Sequence, residues 1–501
     1  MKETFEQTFH GLPKFESPDR YDRIEKCLDQ TSSIFEDFAK KWLVPGVSYG
    51  IVLDGKLAHS ASIGFADVAT SSKPDNDTVF RIASMTKSFT AMSILMLRDD
   101  GLLALDDPAI RYVPELSGLV LPTSDTPPIS IRQLLSMSSG LVEDDPWGDR
   151  LLSLDHHLFG EMLAEGVAFD LVPGTAYEYS NLGFAILGRV VNAASGEMLR
   201  SFAQRRIFDP IGMTSTTWDA DLIPEVKRAT GYRVENGSWV IEPPLPDGAF
   251  GAMGGIASTI SDLAKYIALH LGAWPPRDDD DSGPIRRSSL REMAQMHRVI
   301  PTFPNEELLL TRAAFDGYGF GLVSTIHRDH GFMVSHSGAL PGFSSHMEWL
   351  PEHGVGVVAL ANRTYIPIKL AVRATIDALA NSGGLVARRR PASQALIRIQ
   401  DSVTKLYRSW DDATAEATFL DTYHLDLDDD RRWPDFDELR VKYGPILSVS
   451  EVVATGALRG SWTMEFERGV AEFKVMLGAT IPSKVQFMAV NPVPEESLGS
   501  P

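Results

Sequence analysis

Three short strings, far apart in the chain, carry residue types that together could do acyl chemistry: Ser84-Met85-Thr86-Lys87, Tyr179-Ser180-Asn181 and His336-Ser337-Gly338. A serine hydroxyl becomes a useful nucleophile only when a neighbouring group takes its proton, and the oxyanion that follows needs fixed donors. Ser84 and Lys87 are three apart, so on a helix they share a face and the amine can reach the hydroxyl. A buried lysine has a depressed pKa, which is what lets an amine accept a proton near neutral pH. Tyr179 is a second candidate base, because a phenolate beside the Lys87 ammonium is stabilised.

The elements around these residues are readable. Thr78 to Ile82 reads as a short strand or turn, followed by a helix that is apolar nearly all round through Phe89, Met92, Ile94, Leu95, Met96 and Leu97, stopped by Asp99-Asp100-Gly101. Such a helix is buried, and its first N–H groups favour negative charge beside Ser84. Pro173-Gly174 is a turn, and Leu182 to Leu187 an apolar helical run, so Tyr179-Ser180-Asn181 lies in a loop entering a helix. Asn181 is placed there either to cap that helix or to hydrogen-bond Lys87 or a substrate carbonyl. His336-Ser337-Gly338 reads as an edge strand leading into a turn at Pro341-Gly342. Gly338 there permits close approach by a ligand, and the Ala339 N–H is a candidate second oxyanion donor beside that of Ser84.

Two look-alikes are set aside. Ser402-Val403-Thr404-Lys405 repeats the Ser-x-x-Lys spacing on a polar amphipathic helix with neither partner string downstream. Gly46-Val47-Ser48-Tyr49-Gly50 fits a nucleophile elbow, which requires strand, sharp turn and helix. Val47 to Leu53 instead reads as one strand that turns at Asp54-Gly55 and returns over Lys56 to Phe65.

Taken in order, the three strings resemble the serine-dependent penicillin-recognising hydrolases: class C β-lactamases, D-alanyl-D-alanine carboxypeptidases, D-aminopeptidases and related esterases. The resemblance runs from about residue 20 to about residue 385 and includes Ile131 to Leu141, Asp209 to Met213 and Gly254 to Ala264, whose expected tasks are structural. It implies an acyl-enzyme on Ser84, Lys87 and Tyr179 acting as a pair in proton transfer, and Asn181, His336, Ser337, Gly338 and Ala339 around the substrate. Many relatives carry Lys-Thr-Gly where this chain has His336-Ser337-Gly338. A histidine is mostly neutral near pH 7, so a fixed cation for a substrate carboxylate is weakened, which favours a peptidase or esterase over a β-lactamase. The alternatives are a β-lactamase, an acyltransferase or a silent binding module.

The rest of the sequence bounds the setting. A chain of 501 residues with 44% hydrophobic content is long enough for a large core and more than one domain. Its net charge of −20 disfavours nucleic acid. Arg388-Arg389-Arg390 and Asp278 to Asp281 read as a linker and a loop, and Asp426, Asp428 and Asp430 fail as a calcium loop because Arg431 stands where glycine is required. Neither metal nor cofactor is expected. Cys27 is the only cysteine, so no internal disulfide forms. No apolar run reaches the ~18 residues of a membrane span, and the first residues lack a secretion pattern. A cytoplasmic protein acting on a small molecule or short peptide is expected.

The expected fold class is α/β (α+β): a β-lactamase/transpeptidase-like antiparallel sheet flanked by helices, with an inserted helical region holding Tyr179, plus a small C-terminal α+β domain. Its strands are the Val47 to Phe65 hairpin and segments near 318–326, 332–338, 344–350 and 355–361, with a helix over Pro367 to Ala380. Expected boundaries are 1–19 for an N-terminal extension, 20–385 for the catalytic domain, 386–394 for a linker and 395–501 for the C-terminal domain. In that last part, helices precede alternating strands over 449–456, 458–466, 470–477 and 485–490, loosely similar to an NTF2-like cone. This part would pair subunits or shape cleft entry.

Overall fold

The computed structural model describes residue 15 and residues 17–301, 314–423 and 436–494. Asp426, Asp428, Asp430 and nearly all of the expected N-terminal extension lie outside them. The chain forms two compact units, Ser17–Trp274 with Asp281–Ala387, and Pro275–Asp280 with Arg388–Pro501.

The larger unit is built on an eight-stranded antiparallel sheet. Its order is Lys56–Gly64, Gly46–Leu53, Val355–Ala361, Phe343–Leu350, Gly331–Leu340, Val323–His327, Ala314–Tyr318 and Arg298–Val299. The N-terminal hairpin therefore pairs with the last strand, Val47 opposite Ala361 and Leu53 opposite Val355. The helical region lies between these sequence-distant partners. One sheet face packs on Leu28–Lys41 and Lys369–Asn381 around Phe35, Tyr49, Val357 and Ile376. The other packs on Thr86–Asp99, Asn181–Ser195 and Ile260–Gly272 around Phe89, Phe184, Tyr266 and Met347. The Val355–Ala361 strand is buried along its whole length because it is covered from both sides.

Local sequence explains the segments nearest the cleft. Every residue from Thr86 to Leu97 is buried, so a helix apolar all round has found helices and sheet on all sides. Thr259 caps Ile260–Gly272 by accepting from the Asp262 N–H, and Ser130 with Gln133 forms a reciprocal capping box on Ile131–Leu135. Ser48 lies inside the Gly46–Leu53 strand and bonds Ser62 at 2.9 Å, with no helix after it.

Two sheet expectations are corrected. The segment 318–326 is two strands, Ala314–Tyr318 and Val323–His327, because Gly321 turns the chain at φ +67° and a Cβ on Gly319 would lie 2.1 Å from the Met293 carbonyl oxygen. The strand carrying His336 is not an edge strand of the sheet: Gly331–Leu340 lies between two others. Its pairing to Val323–His327 stops at Ser335, however, while pairing to Phe343–Leu350 runs on to Leu340. Residues 336–340 thus have one open side.

The smaller unit packs the amphipathic helix Gln394–Arg408, with Asp412–Thr418 and Phe436–Tyr443, on a five-stranded antiparallel sheet. Trp462, Met464 and Phe466 share the buried face with Phe473, Val475 and Leu477. The strand expected over 449–456 is instead Ile446–Val449 and Val453–Gly456, both paired to Arg459–Phe466. Ser402 and Lys405 belong to the Gln394–Arg408 helix of this unit, far in sequence from the cleft strings. Among the described residues no helix is long and apolar enough to cross a membrane.

Candidate active site

Ser84 lies in a single 3-10 turn, Ala83–Met85, at the head of Thr86–Asp99. Ala83 holds φ +50°, a left-handed value costing a non-glycine residue roughly 1–2 kcal/mol. The turn is clamped from two directions. The Ile82 N–H donates to the Ile256 carbonyl at 3.0 Å, and the Ser345 hydroxyl donates to the Ile82 carbonyl at 2.7 Å. Gly338 makes this approach feasible, since a Cβ there would lie 2.1 Å from the Ile82 oxygen and 2.4 Å from Ser345 Oγ.

Lys87 is fully buried, and each of its ammonium donors has an acceptor: Ser84 Oγ at 3.0 Å, Asn181 Oδ1 at 2.6 Å and the Met253 carbonyl at 3.1 Å. Thr86 and Thr90 bond Ile256 N and the Ala252 carbonyl at 3.1 and 2.6 Å, which fixes the Met253 segment against the helix. Burial pulls the Lys87 pKa from 10.5 down to about 8, and the carboxylates of Asp145, Asp149 and Asp144 resist the fall.

Asn181 is the first residue of its helix, and the cap is Ser180, which accepts from the Gly183 N–H. Asp144 adds a second cap, taking the Asn181 and Leu182 N–H groups at 2.7 and 2.8 Å. With the backbone thus satisfied, the Asn181 amide is free to bridge Lys87 and, through Nδ2, Asp145. Of the two sequence readings for Asn181, contact with the lysine is the one realised.

The Tyr179 ring lies 4.9 Å from Lys87 Nζ, and Ser84 is near enough to bear on its hydroxyl. Burial pushes the Tyr179 pKa well above its ordinary value, with Tyr318 and Asp145 adding to the rise and the Ser84 contact opposing it. Burial thus favours the protonated phenol at rest.

His336 is also buried, and its pKa falls to about 3, first through burial and then through the Lys87 charge. Its Nδ1 lies 2.5 Å from the Ser337 carbonyl and so carries the hydrogen. Its Nε2 accepts from the Tyr318 hydroxyl at 3.2 Å. Both ring nitrogens are committed, and no cation stands at this position. Ser84, Tyr179, His336, Ser337, Gly338 and Ala339 line one open cleft of about 980 Å³, and Lys87 and Asn181 lie directly behind Ser84. Every candidate residue named from the sequence is thus at or against one cleft.

Several residues were missed from sequence. Asp144, Asp145 and Asp149 bear on Lys87, Tyr318 holds His336, and the Met253 carbonyl holds the ammonium. No spacing rule marks them, because each reaches the site through tertiary packing. Among the described residues no group of three His, Cys, Asp or Glu side chains is arranged to hold a metal ion.

Comparison with known proteins agrees with this architecture. The chain is 28% identical over 350 residues to Protein flp of Staphylococcus aureus (strain NCTC 8325 / PS 47), covering 68% of this chain and 64% of that protein. It is 26% identical over 328 residues to Penicillin-binding protein 4* of Bacillus subtilis (strain 168), covering 62% of this chain and 66% of the other. The match thus spans slightly less than two thirds of either relative's length. Among solved structures, the octameric penicillin-binding protein homologue from Pyrococcus abyssi has the same fold at a TM-score of 0.60 and 20% identity, over 90% of this chain and 91% of that one. A penicillin binding protein from Bacillus halodurans has a TM-score of 0.54 at 24% identity, over 70% of this chain and 98% of that one. A family model described as Beta-lactamase matches residues 32–382, well over half of the sequence, and the chain belongs to that family.

Proposed function

We propose that this protein is a serine hydrolase that cleaves a small amide or ester through an acyl-enzyme on Ser84, as a peptidase or esterase. The observation that carries the reading is the contact of a fully buried Lys87 amine, its pKa lowered by that burial, with the Ser84 hydroxyl at 3.0 Å. With its pKa at about 8, about one lysine in ten is neutral at pH 7 and able to accept the serine proton.

In the mechanism, Ser84 Oγ attacks the carbonyl carbon as its proton passes to Lys87 Nζ. Tyr179, protonated at rest and beside Lys87 and Ser84, relays that proton to the leaving alkoxide or amine, and water then cleaves the acyl-enzyme by the reverse path. Asn181 keeps the lysine aimed at Ser84. The oxyanion is taken by the N–H groups of Ser84 and Ala339. For Ser84 the support is its place in the first turn of a helix, where N–H groups lack partners. For Ala339 it is strand alternation: the Pro341-Gly342 turn closes on the Leu340–Phe343 pair, so the backbone groups of Ser337 and Ala339 point to the open side of the strand.

The neutral, doubly bonded His336 favours substrates that need no cation at this position, which ranks esters and amino-acid amides above β-lactams and carboxypeptidase substrates. Two tests separate the readings. Mass spectrometry after a fluorophosphonate or a penicillin should find an adduct on Ser84 that Ser84→Ala removes, and absence of an adduct with any acylating probe would leave only a binding module. A panel of p-nitrophenyl esters, D-amino-acid amides and nitrocefin then reads the substrate class. We also propose that the protein self-associates, for which the octameric structural neighbour is the support, and that its C-terminal unit does the pairing; size-exclusion chromatography with light scattering on the whole chain and on a chain ending at Ala387 checks both.

A further inference from the structure

A second serine in the same cleft has its own base. Ser337 and His346 are direct cross-strand partners on Gly331–Leu340 and Phe343–Leu350, and Ser337 Oγ lies 2.8 Å from His346 Nδ1. His346 Nε2 in turn lies 3.2 Å from Glu348 Oε2, two residues along the same strand and therefore on the same sheet face. Arg373, on the Lys369–Asn381 helix, holds the same carboxylate oxygen at 3.4 Å. Ser337 is exposed to the cleft, whereas His346 and Glu348 are buried.

The protonation pattern in this line is determined by its neighbours. Burial pushes the Glu348 carboxyl up, but His346 and Arg373 outweigh it and leave it below its ordinary range. Burial holds His346 below its ordinary value, with Glu348 opposing and Arg373 and Lys369 assisting. A neutral imidazole facing a carboxylate through Nε2 carries its hydrogen there. Nδ1 is then the acceptor for the Ser337 hydroxyl. The order hydroxyl, imidazole, carboxylate is that of an activated nucleophile. Nothing in the Ser84 mechanism uses it: on a pleated strand the Ser337 side chain points to the face opposite that of its neighbours His336 and Gly338, the latter of which meets Ile82 beside Ser84.

We propose that Ser337, with His346 as base and Glu348 orienting it, is a second acylatable serine of this cleft, reactive toward small activated acyl or phosphonyl donors. In the step, Ser337 Oγ bonds to the donor's carbon or phosphorus while its proton moves to His346 Nδ1. The imidazolium so formed is held by Glu348, and the leaving group (fluoride, phenolate or alkoxide) departs with the electron pair of its broken bond and takes the proton from Nδ1. Lys369 and Arg373 line the same cleft and supply positive charge for the developing oxyanion.

The test is carried out on full-length Ser84→Ala protein, so it stands apart from the Ser84 reading. It is treated with a fluorophosphonate at pH 8 and mapped by fragment-ion mass spectrometry that separates Ser337 from Ser344 and Ser345. An adduct on Ser337 is expected, forming about 100-fold slower once His346→Gln is added, the usual scale for losing a general base. Glu348→Gln should slow it as well. Proper folding of the His346→Gln protein is read by an unchanged circular-dichroism spectrum and thermal melt, and Ser337→Ala, which must lose the adduct, serves as a second control. No Ser337 adduct in folded Ser84→Ala protein, or one formed at the same rate without His346, overturns the proposal whether or not Ser84 is labelled.

Discussion

The charge state of Lys87 gives the sharpest quantitative expectation. Its pKa of about 8 means the neutral amine is about one tenth of the population at pH 7 and about nine tenths at pH 9. If that amine takes the Ser84 proton, kcat/KM for a non-ionising ester should rise about tenfold from pH 7 to a plateau above pH 9, with a midpoint near 8. That factor equals about 1.4 kcal/mol of barrier. p-Nitrophenyl acetate hydrolysis, followed by initial rates over pH 6–10 and corrected for background, reads it directly. A stability measurement gives an independent check. Because burial lowers this lysine's pKa in the folded state, the native chain binds fewer protons than the unfolded chain between pH 8 and 10.5. Stability from this group should therefore increase across that window, by about 3 kcal/mol in all. Lys87→Arg keeps donors to Ser84 and Asn181 but stays protonated, so it should lose about 10²–10⁴ in rate and lose the pH-dependence. A rate profile flat from pH 6 upward, or a midpoint near 10.5, would refute the assignment of the base.

The surrounding charges should move that midpoint in opposite directions. Asn181→Asp places a carboxylate where an amide oxygen now sits 2.6 Å from Nζ, and the rate midpoint should shift above 8. Asp149→Asn removes one of the charges that raise Lys87 and should shift it below 8, with the Tyr365 contact at 2.9 Å retained by the amide oxygen. Gly338→Ala forces a Cβ against Ile82 and Ser345, so it should lower stability by about 1–3 kcal/mol in thermal melts and abolish Ser84 labelling. Trp462→Ala opens the centre of the C-terminal sheet face, where the side chain is 1% exposed. It should cost that unit about 3–5 kcal/mol, seen as an earlier transition in calorimetry while Ser84 labelling of the larger unit persists at low temperature.

What was legible in the sequence was local. The Ser84 to Lys87 spacing, the apolarity of the helix behind it, the Asp54-Gly55 hairpin and the alternation of Trp462, Met464 and Phe466 are each set within one element, where periodicity alone determines the face. The split of 318–326 was not legible, because the steric demand on Gly319 comes from Met293, a residue brought there by the fold. The same holds for the strand of His336, which is interior by sheet order yet open beyond Ser335 because the neighbouring strand ends. Protonation was the least legible. The neutral histidine was expected from its ordinary pKa, but the protonated state of Tyr179 is read only from its burial beside Tyr318 and the cleft wall.

That neutrality follows from one physical cause acting on four titratable groups at the centre. Burial disfavours whichever form is charged, so it lowers Lys87 and His336 and raises Tyr179 and Asp149 together. Left unopposed, it would lower Lys87 further and weaken the hold of its ammonium on Ser84, Asn181 and Met253. The three aspartates oppose it, and because Asp144 and Asp145 are tied to the Asn181 backbone and side chain, the same residue that aims the lysine also fixes two of the charges that tune it. His336 has no such counter-charge, and its two ring nitrogens are spent on Tyr318 and Ser337. A histidine at this position is therefore a neutral brace and not a point of anion attraction, and the proposed preference for esters and amino-acid amides rests on that difference.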